Sequence, residues 1–302
     1  MERSEQHFSD SGVSEARKGV ACGVSAYVLW GVFPLYFKAI SHISPLEVLS
    51  HRIVWSVATL AILLLFLGGF KAVREIIFSP RKVAALTFCA ILLSLNWLVF
   101  IWAVEAGRVS QASLGYYINP LVNVLLGALF LKERLSKAQT VAIALAAAGV
   151  SILAWSTGSV PLASLALAFS FGVYGLVRKL NPSVKALPGL TVEALLLMPF
   201  ALGYILFIEI DGSGAFLASG HDGGLLALSG LVTTVPLLLF GACTARLRYA
   251  TVGFLLYITP TLHLALAVFA FGEPFAKAHG VSFGFIWAGL FLYSIDAVRG
   301  VR

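Results

Sequence analysis

Three ionisable side chains lie within six residues of one another in an otherwise apolar stretch. Glu47 and His51 are four residues apart and would share one face of a helix, whereas Arg52 would point about 100° away. A charged side chain inside a bilayer costs at least about 2.5 kcal/mol. We therefore expect Arg52 to face protein or a watery cavity, and its role is open: it would recognise an anion or gate a pathway, or it would serve the structure. The alternatives are a structural lock to Glu47, Glu105 or a helix-end carbonyl, and a side chain that snorkels to the interface.

A second group of polar residues surrounds one proline in each half of the chain. Proline removes a backbone donor and frees a carbonyl, so an apolar helix kinks there and nearby polar groups can use the freed backbone. The candidates are Tyr116, Tyr117 and Asn119 beside Pro120, Tyr257 beside Pro260, and Thr233 beside Pro236. Matching kinks predict a transport site with hinges at Pro120 and Pro260. A kink that only serves packing is the alternative, and the Thr233 hydroxyl could bond within its own helix.

The ionisable residues form no pattern that predicts an enzyme or a metal centre. Such chemistry needs a nucleophile with a positioned base, or a cluster of ligands. No two of the six histidines are spaced as a helical ligand pair, and no HExxH-like or GxSxG-like string occurs. The three cysteines lie in apolar segments and indicate buried free thiols. We expect no catalytic residue, no metal and no cofactor.

The composition places these residues in a membrane protein. Of the 302 residues, 59% are hydrophobic and 12% are charged, which is too little polar surface for a water-soluble globule. Apolar stretches recur at lengths near the ~20 residues that a helix needs to cross the hydrocarbon. We expect an all-α integral membrane protein surrounded by lipid. The net charge of +7 then reflects orientation, and nucleic acid is not an expected partner.

Ten transmembrane helices are predicted. They cover residues 19–38, 45–67, 83–106, 111–131, 137–155, 162–179, 187–208, 224–244, 251–271 and 275–297. Residues 1–18 are predicted to be a disordered cytoplasmic tail, and residues 68–82 a basic loop. The chain would divide at about residue 158 into two five-helix halves, 19–157 and 158–302.

The segment from Arg108 to Leu153 occurs twice. Shifted forward by 140 positions it lies on residues 248–293 without a gap, and 11 of the 46 aligned positions are identical by direct comparison. The matched pairs are Arg108 with Arg248, Tyr117 with Tyr257, Pro120 with Pro260, Glu133 with Glu273 and Lys137 with Lys277. Helices 2 and 7 give no convincing alignment. The register of these unlike residues predicts an internal duplication.

Five helices per half give the two halves opposite orientations in the membrane, because five is odd. We therefore predict two inverted five-helix repeats, an arrangement suited to alternating access. With both termini in the cytoplasm, 17 of the 21 Lys and Arg residues lie on the cytoplasmic side and three on the outer side, while Arg52 lies within a span. This bias predicts cytoplasmic termini.

Five strings carry a family resemblance. They are YVLWGVFPLYFK at 27–38, EVLSHRIVWS at 47–56, NWLVFIWAV at 96–104, ASLGYYINPLVN at 112–123 and VTTVPL at 232–237. Together they resemble the RarD-like members of the EamA-type branch of the drug/metabolite transporter superfamily, over about residues 19–297. The resemblance implies ten helices, cytoplasmic termini, a bacterial inner-membrane location and export or permeation of small organic molecules. It also implies a link to chloramphenicol sensitivity.

The resemblance assigns part of the chain to a central cavity. Tyr27, Trp30, Trp97 and Tyr174 lie on segments that the superfamily uses as cavity walls, and Asn96 belongs to the same string as Trp97. These aromatics are expected to contact an apolar or aromatic solute, with ordinary packing as the alternative. Glu273 is expected to be a solvated cap or a partner of Lys277.

We therefore expect a permease that moves a small organic solute, such as a metabolite or an amphenicol, by alternating access. A non-transporting scaffold or channel is the alternative, and an intramembrane enzyme is a third. The pairs Ala148-Gly149 and Ala288-Gly289 predict a helix-packing seam or a homodimer seam. No carboxylate is predicted at the centre of a span, so proton coupling, exchange and facilitated diffusion all stay open.

Overall fold

The computed structural model describes residues 2–130, 132, 135–158, 160–181, 183–246 and 255–299. Every regular element in these ranges is helical. In chain order they are α1 (Glu2–Ala39), α2 (Pro45–Leu67), α3 (Phe70–Ile77), α4 (Pro80–Glu105), α5 (Val109–Phe130), α6 (Lys137–Thr157), α7 (Leu162–Leu180), α8 (Ala186–Ile210), α9 (Gly220–Arg246), α10 (Ile258–Ala265) and α11 (Lys277–Arg299). A π-helical turn, Leu266–Ala270, continues α10. Glu133 and Arg248 of the predicted repeat lie outside the described residues.

The helices have the length and composition of membrane spans. Eight of those in the described ranges are long and apolar enough to cross a bilayer, namely Glu15–Ala39 within α1, α2, α4, α5, α6, α8, Gly220–Phe240 within α9, and Lys277–Asp296 within α11. Leu162–Arg178 and Ile258–Ala270 are apolar but shorter. Large hydrophobic side chains point outward, as Phe200 and Phe207 do with 79% and 66% of their surfaces exposed. Such a surface is stable in lipid and costly in water, so the chain is a multi-pass membrane protein.

Two segments differ from the sequence prediction. Residues 2–18, predicted to be disordered, continue α1 as a helix. Where this part meets the span, Glu15 pairs with Lys18 at 2.7 Å and with Arg246 of α9 at 3.0 Å. The basic loop contains the short helix α3, whose Val73 and Ile76 are buried in an apolar cluster with residues of α2, α4 and α8. The apolar side chains of α3 therefore hold it against the bundle. The segment was predicted to be a loop because its basic residues outweigh this short apolar pattern.

Helices of the two predicted halves pack largely against each other. The pairings include α6 with α11, α5 with α7 and α10, α1 with α9 and α10, α2 with α8 and α9, and α4 with α7 and α8. Each half contributes five long or apolar helices, α1, α2, α4, α5 and α6 from the first and α7 to α11 from the second. When each helix is exchanged for the helix of equal rank in the other half, α6–α11, α5–α10 and α2–α8 map onto themselves, and the other six pairings interchange in three pairs.

The glycine seam follows the same exchange. A Cβ atom added to Gly149 would lie 2.8 Å from the carbonyl oxygen of Ser282, and one added to Gly289 would lie 2.8 Å from that of Ala142. Gly149 and Gly289 are 140 positions apart, and so are Ala142 and Ser282. The Ala148-Gly149 and Ala288-Gly289 pairs therefore form an internal α6–α11 seam, and the homodimer stays a prediction.

The seam gives a matched test of stability. Gly149→Ala is expected to lower the free energy of unfolding by about 1–3 kcal/mol, because the added methyl group forces α6 away from the α11 backbone. Gly284→Ala in α11 is the control, since no atom lies within 4 Å of a Cβ there. Thermal unfolding of the purified proteins measures both, and equal midpoints would contradict the close approach.

Candidate functional site

Arg52 lies in a buried cage of aromatic side chains. The residue is only 4% exposed, and its guanidinium carbon is 4.2 Å from the ring centre of Trp97. The rings of Phe37 and Phe33 lie 5.5 Å and 5.8 Å away. Its Nε donates a 2.7 Å hydrogen bond to Oγ1 of Thr233. Cation–π attraction of this kind holds the cation in place without neutralising it.

The expected structural partners of Arg52 do not bind it. Oε1 of Glu47 instead accepts a 2.6 Å hydrogen bond from the backbone N–H of Ala215, and Glu105 is exposed at the end of α4. Within the described ranges no carboxylate lies within 4.0 Å of the guanidinium. The lock to an acidic residue is therefore wrong, and burial excludes snorkelling. A buried cation without a counter-ion is suited to bind an anionic group.

Beside Arg52 is a cavity between α2, α4, α8 and α9. Trp97 and Thr233, which both contact Arg52, form part of its wall. The volume open to the centre of a water-sized sphere is ≈ 20 Å³, whereas sites for organic ligands are typically about 300–1,000 Å³. The cavity is therefore closed to a solute, and helices must separate to admit one.

Three hydroxyl groups of the cavity wall are left without a hydrogen-bond partner. These are the buried Oγ atoms of Ser56 and Ser94 and Oγ1 of Thr234, none of which has a partner among the described residues. Buried polar atoms are nearly always paired, and exceptions call for a ligand or water. These three hydroxyls are polar groups of a wall that also contains Thr233 and Glu193 and is otherwise mainly apolar.

Glu193 is a wall residue of the cavity that the sequence analysis did not select. It is 2% exposed and pairs with Nη1 of Arg178 at 3.3 Å. The hydroxyl of Tyr174 lies 3.4 Å from its other carboxylate oxygen. Tyr174 was expected to contact solute, and in this structure its hydroxyl is directed at Glu193.

Arg52 and Glu193 lie at matching distances from the first residues of α2 and α8, Pro45 and Ala186. Oγ of Ser50 donates to the carbonyl of Leu46, and Oγ1 of Thr191 donates to that of Leu187. These two bonds are related by a shift of 141 residues at both ends, and the same shift carries Arg52 to Glu193. Bonds from a hydroxyl to the carbonyl four residues earlier also occur at Thr59 and Thr87, so this pair agrees with a 141-residue shift but does not establish it. In the sequence, the only hint of this correspondence is a hydroxyl residue two positions before each buried charge, Ser50 before Arg52 and Thr191 before Glu193.

The two asparagines of the predicted site bind the backbone of α7. Nδ2 of Asn96 donates to the carbonyl of Leu167 at 3.0 Å and to Ser170, and Nδ2 of Asn119 donates to the carbonyl of Ala168 at 3.0 Å. Both asparagines are 2% exposed. They hold helices together around the site, and their amides are already occupied.

The remaining predicted aromatics form separate clusters. Tyr27 and Trp30 meet at 5.6 Å between ring centres, and Tyr117 stacks with Tyr257 at 6.4 Å. Tyr116 packs edge-on against Phe100 at 5.9 Å between ring centres, and Phe100 in turn meets Phe37 of the Arg52 cage at 5.8 Å. The structure therefore brings together Arg52, Trp97, Thr233 and Tyr116, and it places the other four rings in packing contacts.

The two predicted hinge prolines have different surroundings. Pro120 lies inside the continuous helix α5. Pro260 lies in the first turn of α10, where a missing N–H costs little, and its carbonyl accepts a 2.7 Å bond from Oγ of Ser113. The hinge role of both residues stays a prediction.

Glu273 is not solvated. It is 8% exposed, and its two carboxylate oxygens accept hydrogen bonds from the backbone N–H groups of Val109 and Ser110 at 2.6 Å and 2.9 Å. It therefore caps the first turn of α5, a helix distant in sequence. The expectation of a solvated cap or a Lys277 partner was wrong because the N–H donors that the Glu273 carboxylate binds lie on another helix.

A helical bundle with an apolar exterior and a buried cation beside a central cavity has the organisation of a multi-pass membrane transporter. The family model of the EamA-like transporter family matches residues 17–155. An "Uncharacterized transporter" of Vibrio cholerae serotype O1 is 46% identical over 286 residues, covering 94% of each chain. "Protein RarD" of Escherichia coli K12 is 42% identical, covering 95% of this chain and 97% of that protein. The chain belongs to the EamA-like transporter family, with RarD-like relatives over nearly its full length.

One solved crystal structure has the same fold. It aligns with a TM-score of 0.61 at 21% sequence identity, covering 93% of this chain and 98% of that chain. The helical arrangement is therefore shared well beyond the range of close sequence similarity.

Proposed function

We propose that this protein is a permease that moves a small organic solute with an anionic group across the bacterial inner membrane by alternating access. The observation that carries this proposal is Arg52, a buried cation with no carboxylate partner in the described structure, which contacts two wall residues of a central cavity. Its guanidinium would bind the anionic group, and Trp97 would contact the body of the solute. Membership of a transporter family supports the transport step itself.

Alternating access requires two halves that can exchange conformations, and we propose ten spans as two inverted repeats with cytoplasmic termini. The reciprocal helix pairings and the two matched glycine contacts support this arrangement. So does a pair of hydrogen bonds, since Oγ1 of Thr259 donates to the carbonyl of Tyr27 as Asn119 donates to that of Ala168. The donors differ by 140 positions and the acceptors by 141.

The proposed cycle starts from the closed state described here. Rocking of the halves would open the cavity to one face, and the solute would bind Arg52 and the unpaired hydroxyls. The opposite motion would then open the cavity to the other face. In the proposed inverted repeat Arg52 and Glu193 are equivalent, so each would lie near the opening formed on its own side.

Cysteine accessibility tests this cycle without knowledge of the solute. With Cys22, Cys89 and Cys243 replaced by serine or alanine, Ser94→Cys is expected to react with a membrane-impermeant maleimide from both faces of sealed vesicles. Ala142→Cys, at the fully buried α6–α11 seam, should stay unreactive from both. Reaction of the Ser94 variant from one face only, or from neither, would contradict alternating access at this cavity.

A further inference from the structure

A second cluster of ionisable side chains lies outside the proposed solute site. Glu47 and His51 of α2 meet Glu209 in the last turn of α8, and one potential ligand atom from each residue lies within 4.8 Å of the other two. Arg52 is the next residue after His51 but belongs to the aromatic cage around Trp97. The cluster therefore has its own chemistry, which neither family membership nor the solute site explains.

The histidine of this cluster is buried without a polar partner. His51 is 3% exposed, and neither of its ring nitrogens has a hydrogen-bond partner among the described residues. One face of its ring stacks on Phe216 at 4.8 Å between centres with an interplanar angle of 20°. Phe216 covers a face of the ring and not the edge that carries the two nitrogens. A buried imidazole nitrogen without a hydrogen-bond partner favours a ligand at that edge.

The two carboxylates also lack a positive counterpart. Oε1 of Glu209 is buried and has no hydrogen-bond partner, and in the described part of the chain neither Glu47 nor Glu209 forms an ion pair. Two carboxylates this close repel each other unless a cation or a proton lies between them. Two carboxylate oxygens and one imidazole nitrogen form a ligand set typical of a first-row divalent cation, with further positions left for water.

From these contacts we infer that Glu47, His51 and Glu209 form a binding site for a divalent metal ion of the Zn²⁺ type. Ligands about 2.1 Å from one Zn²⁺ lie about 3.4 Å apart when tetrahedral, so small rotations of the two glutamate side chains complete the site. The backbone N–H of Ala215 donates a hydrogen bond to Oε1 of Glu47, and this bond orients the Glu47 carboxylate. Gly214 leaves room for Glu209, since a Cβ atom there would lie 2.5 Å from its carboxylate.

The ion would join three parts of the chain. It would tie the beginning of α2 to the end of α8 and, through Ala215 and Phe216, to the segment that follows α8. Because Arg52 adjoins His51, the site would hold closed the end of the bundle that contains the Arg52 cage. The ion would act as a structural clamp, and its binding does not depend on the proposed transport activity.

Metal titration of the purified, tag-free protein tests the inference. After removal of metal with a chelator, Zn²⁺ competition against a chromophoric chelator is expected to show one ion per chain, and Co²⁺ should give the visible absorption of a tetrahedral site. Glu209→Gln and His51→Gln should each weaken binding by at least about ten-fold. His42→Gln with His221→Gln is the control, because these exposed histidines lie 3.2 Å from Asp222, outside the proposed site.

Three results would overturn the metal site. The first is that the metal-free protein binds no Zn²⁺ in the competition. The second is binding that disappears only in the His42 and His221 control. The third is a gain in thermal stability in Glu209→Gln when the parent protein binds no metal. The last result would mean that the carboxylates share a proton. Glu209 is less buried than His51, so its variant keeps the test decisive if His51→Gln does not fold.

Discussion

Arg52→Met is expected to abolish transport of an anionic solute while the protein stays at least as stable as the parent. Removing one partner of a buried charge interaction costs about 2–5 kcal/mol of binding, which corresponds to a loss of about 30-fold to several thousand-fold. Methionine keeps much of the apolar volume of the side chain. It also removes a buried cation that has no carboxylate partner in the described structure, so the free energy of unfolding should not fall.

Counterflow in proteoliposomes measures this effect. The vesicles are loaded in turn with aromatic carboxylates and with the matching neutral amides, and exchange is followed with the labelled compound. A carrier exchanges internal for external solute, and we expect exchange of a carboxylate and not of its amide. Arg52→Lys should be impaired as well, since an ammonium group lacks the planar fork and the stacking of a guanidinium.

Arg108→Met is the matched control for Arg52. Arg108 also lies over a tryptophan, with its guanidinium carbon 5.1 Å from the ring centre of Trp102, but it is exposed. It should exchange solute at the parental rate. A lower unfolding midpoint in Arg52→Met with unchanged exchange would assign Arg52 a structural role, and exchange of amides alone would contradict anion recognition while leaving transport intact.

Regular helices could be predicted from the sequence because their signals are local. The predicted bounds 45–67 agree with α2, which begins at Pro45 and ends before Gly68. The predicted start of the fifth helix at Lys137 is also confirmed, and there Ser136 and Gln139 form a capping box. The extension of α1 to Glu2 and the helix α3 were not predicted. Both segments are rich in polar residues, and the helices were predicted from the length of apolar stretches.

The site could be predicted only in part, because its partners are distant in sequence. A charge in an apolar stretch must have a special environment, and that argument identified Arg52. No sequence feature distinguishes an amide that meets solute from one that meets a carbonyl 71 or 49 residues away, as Asn96 and Asn119 do. Glu193 was not predicted as a site residue for the same reason, since its partner Arg178 lies 15 residues away in sequence and nothing local shows that the two side chains meet.

Arg178→Met is expected to destabilise the protein far more than the double variant Arg178→Met with Glu193→Gln. The single change leaves the carboxylate of Glu193, whose side chain is 3% exposed, buried without its cation. Breaking a buried ion pair in this way costs about 3–5 kcal/mol, whereas replacing both partners is often nearly neutral. Glu193→Gln alone should cost less, because the Arg178 side chain is 18% exposed and can turn toward solvent.

A double-mutant cycle from denaturant unfolding of the four proteins gives the coupling free energy. Lys18→Met supplies the reference for an exposed pair, since Lys18 and Glu15 lie 2.7 Å apart with side chains 61% and 51% exposed, and it should cost far less than Arg178→Met because water screens such a pair. Equal costs for Arg178→Met and Lys18→Met would mean that water reaches the Arg178–Glu193 pair. A double variant that is stable but no longer exchanges solute would separate the two roles of Glu193, because its charge would then be needed in the cavity and not for the fold.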